Sequence, residues 1–268
     1  MRTLLHVSDL HFGRVDRSLI DPLLARAHEL APDLVIVSGD FTQRARRREY
    51  IAAHAFLERL PAPRLVVPGN HDIPLWDVVR RFASPLGRYR RYITDELAPF
   101  YQDDEIAVLG INTARSFTRK YGRINADQIA HAREVFGEVK GEVVKIVVTH
   151  HPFDLPPGSH SRLVGRSAMA MRGLAAAGVD MILSGHLHLQ HTGLTAKRYQ
   201  IEGYSALVAQ TGTTISTRGR GEANSFNCIR IEPGAMTIQP YNWEPGRAQF
   251  GPQPSEKFIR EATRWVRA

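Results

Sequence analysis

The sequence predicts a layered α/β fold, and three patterns in it carry that expectation. Short apolar runs alternate with segments of helical spacing, each strongly polar cluster falls where an apolar run stops, and the text turns β-rich after about residue 193. Residues 3–7, 34–37, 65–67, 106–111, 143–148 and 181–183 read as buried strands because they are short, predominantly apolar and bounded by turn residues. Between them, 19–30, 49–60, 126–136 and 167–177 repeat apolar residues at helical intervals, the last running into Gly178 as a stop signal. The runs 204–211, 225–231 and 235–239, separated by Gly, Pro and Asn, predict added antiparallel strands. A Pro/Gly-rich linker, 243–254, is expected to lead to a terminal helix over 255–266 that opens on a Ser-Glu-Lys start.

The 268 residues, 43% of them apolar, suffice for one large core, and no composition break divides them. A single domain over 1–268 is the expectation, with motifs in 1–189, a β-rich part in 190–242 and the linker and helix in 243–268. The one cysteine, Cys228, excludes an intramolecular disulfide and a thiolate-rich metal site. No stretch approaches the ~20 apolar residues of a membrane span, and the N-terminal run is too short for a signal-peptide core, so a cytoplasmic protein is expected. Lys and Arg exceed Asp and Glu by 35 to 27, a formal charge of +8, which suits anionic ligands or merely a solvated basic surface.

Five clusters follow predicted strands: Asp9-Leu10-His11, Gly39-Asp40, Gly69-Asn70-His71-Asp72, His150-His151-Pro152 and Gly185-His186-Leu187-His188. In open α/β sheets ligands bind at the carboxyl ends of strands. An extended Asp-x-His can aim both side chains at one ion, because residues two apart share a side. Any one cluster could be chance; five in series, all offering N or O donors, point to metal chemistry. Imidazole, carboxylate and amide without thiolate suit Mn, Fe or Zn in a catalytic site.

These motifs resemble the calcineurin-like metallophosphoesterases, whose D-x-H, G-D, G-N-H-D/E, H and G-H-x-H pattern is met in full over about residues 1–189. The resemblance implies a four-layer αββα sandwich of two mixed β-sheets flanked by helices. It implies one metal held by Asp9, His11, Asp40 and His188 and a second by Asp40, Asn70, His150 and His186, with Asp40 shared. It also implies phosphoester hydrolysis through a metal-bridging hydroxide, the two ions being about 3.5–4 Å apart. His71 is expected at the leaving group, with Asp72 fixing its tautomer; alternatively the pair only holds the turn.

The Gly-Asn-His-Asp-Ile-Pro and His-His-Pro runs look most like bacterial class III cyclic nucleotide phosphodiesterases, so a cyclic nucleotide or similar small phosphodiester is the expected substrate. Asn70, His71, Arg80, Arg81 and His151 are the expected substrate contacts. Arg80 and Arg81 lie in residues 73–100, a segment placed to overhang the site, unless Trp76, Val79 and Phe82 pack it onto the body. A lipid or nucleotide-sugar pyrophosphate hydrolase at the inner membrane surface, a nuclease and a non-catalytic metal-binding scaffold are the competing readings. No stable nucleic-acid partner is expected, and weak membrane association would rest on the basic, aromatic terminal helix.

Overall fold

A computed structural model describes residues 1–219 and 221–268. In its first part strands and helices alternate as β1 (Arg2–Val7), α1 (Ile20–Leu30), β2 (Leu34–Val37), α2 (Arg47–Leu57) and β3 (Arg64–Val66). Two short helices, α3 (Val78–Ala83) and α4 (Gly87–Tyr92), precede β4 (Phe100–Gln102) and β5 (Ile106–Gly110). Alternation resumes with α5 (Ala126–Glu138), β6 (Val144–Val148), α6 (Ser167–Ala176) and β7 (Met181–Ser184). Seven strands complete the chain: β8 (His191–Leu194), β9 (Leu207–Gln210), β10 (Ser225–Glu232), β11 (Ala235–Glu244), β12 (Gln249–Pro252), β13 (Glu256–Glu261) and β14 (Arg264–Arg267).

The described strands form two mixed sheets. One runs β14-β13-β11-β10-β1-β2-β3, with β12 also paired to β11; the other runs β4-β5-β6-β7-β9-β8. β1, β2 and β3 are parallel, as are β5, β6, β7 and β9, while β10 closes on β1 antiparallel with Arg2 opposite Ile231.

Burial of both faces explains why the central strands read as near-continuous apolar runs. On β1, Leu5 and Val7 face Leu23, Leu24, Ala53 and Phe56 of α1 and α2, whereas Leu4 faces the other sheet. On β5, Val108 enters the space between the sheets, and Leu109 packs outward on Ile129 and Phe136 of α5. Three apolar layers therefore separate four structural layers, which is the expected αββα sandwich.

The chain's last segment departs from expectation. Residues 255–266 form the β13–β14 hairpin, and the expected linker folds into β12 and the end of β11. Phe258 and Trp265 lie seven residues apart, a spacing that a helix would also place on one side, which is why the period misleads. The hairpin is favoured because β11 offers an open edge to Glu256–Ile259, and because Ala262 turns the chain at φ 55°. Trp265 then enters the inter-sheet core and its indole N–H donates to Asp180 Oδ1 at 2.8 Å. No helix among the described residues is long and apolar enough to cross a membrane.

Candidate metal centre

The five clusters sit where the carboxyl ends of β1, β2 and β3 meet those of β6 and β7, so both sheets contribute. Backbone hydrogen bonds draw the loops together: Asp9 N to Gly39 O (3.1 Å), His11 N to Asp40 O (2.9 Å) and Gly185 N to His150 O (3.1 Å). Asp9, His11, Asp40, His186 and His188 all take positive φ, between 47° and 72°. The Asp-x-His pair therefore does not use the extended geometry expected; each residue is held in the left-handed region, a strained state that persists where the surroundings over-determine it.

Close approach also fixes two glycines. A Cβ on Gly69 would collide with the carboxylate and backbone nitrogen of Asp40, and one on Gly185 with Ser8 Oγ and Asp9 Oδ2.

Each carboxylate has one oxygen tied down and one left over. Asp9 Oδ2 accepts from His186 N at 2.9 Å, and Asp40 Oδ1 accepts from His71 N at 2.8 Å. The other oxygens face imidazoles: His11 Nε2 lies 3.6 Å from both Asp9 Oδ1 and Asp40 Oδ2, His150 Nε2 3.4 Å from Asp40 Oδ2, and His188 Nε2 3.5 Å from Asp9 Oδ1. His150 Nδ1–H donates to Ser38 O (2.8 Å) and His11 Nδ1–H to Thr42 O (3.4 Å), which turns both Nε2 atoms inward. Asp9 Oδ1, His11 Nε2, Asn70 Oδ1, His186 Nε2 and His188 Nδ1 are buried without a hydrogen-bond partner. Orphaned buried donors and acceptors cost about 1–3 kcal/mol each unless something satisfies them. Their convergence is the physical signature of a cation site, and donor atoms of Asp9, His11 and His188, of Asp9, Asp40 and His150, and of His150, His151 and His186 lie within 4.8 Å of one another. The donors fit a dinuclear metal centre.

The electrostatics agree. Burial alone would raise the Asp40 carboxyl, yet the adjoining His150 and His71 hold it well below the usual range. Burial opposes His150 protonation, but Asp40 beside it raises the ring to about 9. Burial lowers His186 to about 3 and His188 to about 4, so both rings are neutral at pH 7.

Several expected contacts are placed differently. Asp72 does not touch the His71 ring: its carboxylate accepts from the backbone of Phe41, Thr42 and Gly69 and from Thr42 Oγ1, locking two loops together. His71 Nδ1–H instead donates to Gln43 O at 2.9 Å, and its Nε2 accepts from Arg218 Nη1 at 2.9 Å. His151 is buried, with Nδ1 on Thr113 Oγ1 (2.8 Å) and Nε2 on Lys120 O (3.2 Å), which leaves no nitrogen for substrate. Arg81 is buried too, its guanidinium donating to Pro74 O, Ser116 O and Thr118 O, so it braces loops beside the site. Arg80 lies outside the cluster on the surface, paired with Asp77 at 2.7 Å.

Arg218 was not singled out from the sequence. It follows β9, whose carboxyl end lies beside that of β7, and the strand-end argument applied to the Ser-Thr-Arg-Gly text after residue 215 would have found it.

A family model described as calcineurin-like phosphoesterase matches residues 2–190. The glycerophosphodiester phosphodiesterase GpdQ of Enterobacter lignolyticus is 38% identical over 111 residues, 35% of this chain and 40% of that protein. A protein described as a probable cyclic nucleotide phosphodiesterase from Synechococcus is 26% identical over 183 residues, 62% of each. The match thus spans 40% to 62% of the length of these curated relatives. Among solved structures, a purple acid phosphatase from yellow lupin superposes over 97% of this chain and 54% of its own with a TM-score of 0.68 and 12% identity, a likeness of fold.

Proposed function

This chain belongs to the calcineurin-like phosphoesterase family; we propose that it is a hydrolase of phosphoester bonds, and specifically a phosphodiesterase whose substrate is a cyclic nucleotide or a similarly small phosphodiester. Asp9, His11, Asp40 and His188 would hold one ion and Asp40, Asn70, His150 and His186 the other, with Mn, Fe or Zn suited to this thiolate-free set. Two such ions, when bound, polarise the phosphoryl oxygens and generate a nucleophile from water at neutral pH.

The chain's own contribution lies in His71 and Arg218. His71 holds its proton on Nδ1, against the Gln43 carbonyl, so its Nε2 faces the site as a neutral acceptor, and burial lowers its pKa further. Arg218, bonded to that nitrogen, is placed to offer its guanidinium to a phosphoryl oxygen, which frees His71 Nε2 to take a proton from water and pass that same proton to the leaving-group oxygen. What supports the diester reading is the Arg218 guanidinium beside His71, His186 and His188, whose pKa values burial lowers. Such a rim matches the one negative charge of a diester better than the two of a monoester.

The relatives' names support the same class. The test is turnover of bis-p-nitrophenyl phosphate, p-nitrophenyl phosphate, cyclic nucleotides and lipid-linked pyrophosphates with Mn, Fe or Zn added. Diesters are expected to turn over first; hydrolysis confined to monoesters would sink the reading.

A further inference from the structure

Trp76, Val79 and Phe117 are 76%, 80% and 89% exposed, and Val78 and Phe82 are exposed beside them. Phe82 on α3 and Phe117 on the 115–119 loop touch, with ring centroids 5.2 Å apart, and together with Trp76, Val78 and Val79, exposed at and just before the start of α3, they make up an apolar crown. The crown is rigidly mounted. Buried Arg81 clamps α3 to that loop through Pro74 O, Ser116 O and Thr118 O, and Arg119 O accepts from Asn70 Nδ2 at 3.4 Å. An apolar patch left in water on a braced scaffold marks an interaction surface.

Charge says what covers it. Exposed Arg80, Arg119 and Lys120 flank the crown. Arg80 also lines a cavity of about 390 Å³ with Arg47, Ser84, Arg88, Arg91 and Tyr92, and no carboxylate belongs to that lining. Three of these guanidiniums already have a neighbour: Arg80 pairs with Asp77, Arg88 donates to Ala45 O, and Arg91 lies over the Tyr92 ring. Their summed field is nonetheless positive on a chain of net charge +8. A second copy would oppose these cations to themselves, whereas aromatic and aliphatic side chains ringed by arginine complement the interface of an anionic bilayer.

We propose that the crown of Trp76, Val79, Phe82 and Phe117 docks on an anionic lipid surface, with the arginine-lined cavity receiving a lipid phosphate. The crown adjoins Asn70, so docking sets the metal centre beside the headgroup layer. The earlier membrane expectation rested on a terminal helix that is in fact a hairpin; this surface lies elsewhere and does not depend on which phosphodiester is cleaved.

The full chain should co-sediment with phosphatidylcholine vesicles containing phosphatidylglycerol and remain in solution with phosphatidylcholine alone. The double substitution Trp76→Ser with Phe117→Ser should weaken partition by about tenfold or more, and Arg47→Glu with Arg91→Glu should remove the dependence on phosphatidylglycerol. Near-ultraviolet circular dichroism verifies that each variant is folded, independently of any activity. Equal sedimentation with both vesicles, undiminished binding by the folded aromatic variant, or a dimer that this variant dissolves without vesicle binding would each overturn the proposal.

Discussion

Asp40 contributes an oxygen to each half of the donor set, and its own geometry is maintained by one backbone N–H from His71. Asp40→Asn keeps the shape and removes the charge. Metal content by elemental analysis should fall, and diester turnover should drop by about 10³-fold, the equivalent of several kcal/mol of lost charge stabilisation; wild-type rates in metal-replete buffer would exclude the shared-ligand role. Arg218→Ala separates a different function, because it leaves the donor set intact. Metal content should stay at the wild-type level while kcat falls by roughly 10²-fold, the scale of one lost transition-state donor; a change in metal content instead would assign Arg218 to structure. The members of the buried donor cluster were legible because aspartate, asparagine and histidine carry their chemistry in their identity. The tasks of Asp72, His151 and Arg81 were not, since a hydrogen bond to a distant carbonyl or amide leaves no mark on local sequence. Asp72 illustrates this: its carboxylate serves Thr42, thirty positions away.

Among elements, the parallel strands and the longer helices were readable from periodicity because each is buried on a defined face. The terminal hairpin was not, since its two inward aromatics, one on each strand, lie seven positions apart and so also fit a helical period. The structure gives that hairpin a measurable load. Trp265 is fully buried between the sheets and donates to Asp180, whose carboxyl is pushed up by its own burial. Trp265→Ala should destabilise the fold by about 3–5 kcal/mol, read as a lower urea midpoint with an unchanged slope. A loss below ~1 kcal/mol would mean that the hairpin contributes little beyond covering the β11 edge.

At the scale of the whole molecule, the αββα architecture followed from the motif resemblance, whereas strand order across the two sheets required long-range pairing that no local pattern encodes. The buried histidines make stability dependent on pH. Burial lowers His6 to about 3, with Nε2 on Ser38 Oγ at 2.8 Å, and His186 and His188 follow the same direction. A histidine depressed in the folded state binds its proton more readily when unfolded, so its contribution is complete above its ordinary value near 6.5 and is lost as pH falls toward the folded value. Each such group adds a slope of about 1.4 kcal/mol per pH unit within that window. Chemical denaturation of the metal-free protein between pH 7 and pH 4 should show this fall, and His6→Asn should flatten it; a pH-independent midpoint would contradict the assignment. The pairing of β1 with β10 carries a further consequence for synthesis. Once synthesised, β1 finds its second neighbour only after residue 231 has emerged, on the order of ten seconds or more later at ordinary elongation rates. During that interval its open edge is a template for aggregation, so yield in cells should respond to co-translational chaperones and to lower growth temperature more than the finished protein's stability would suggest.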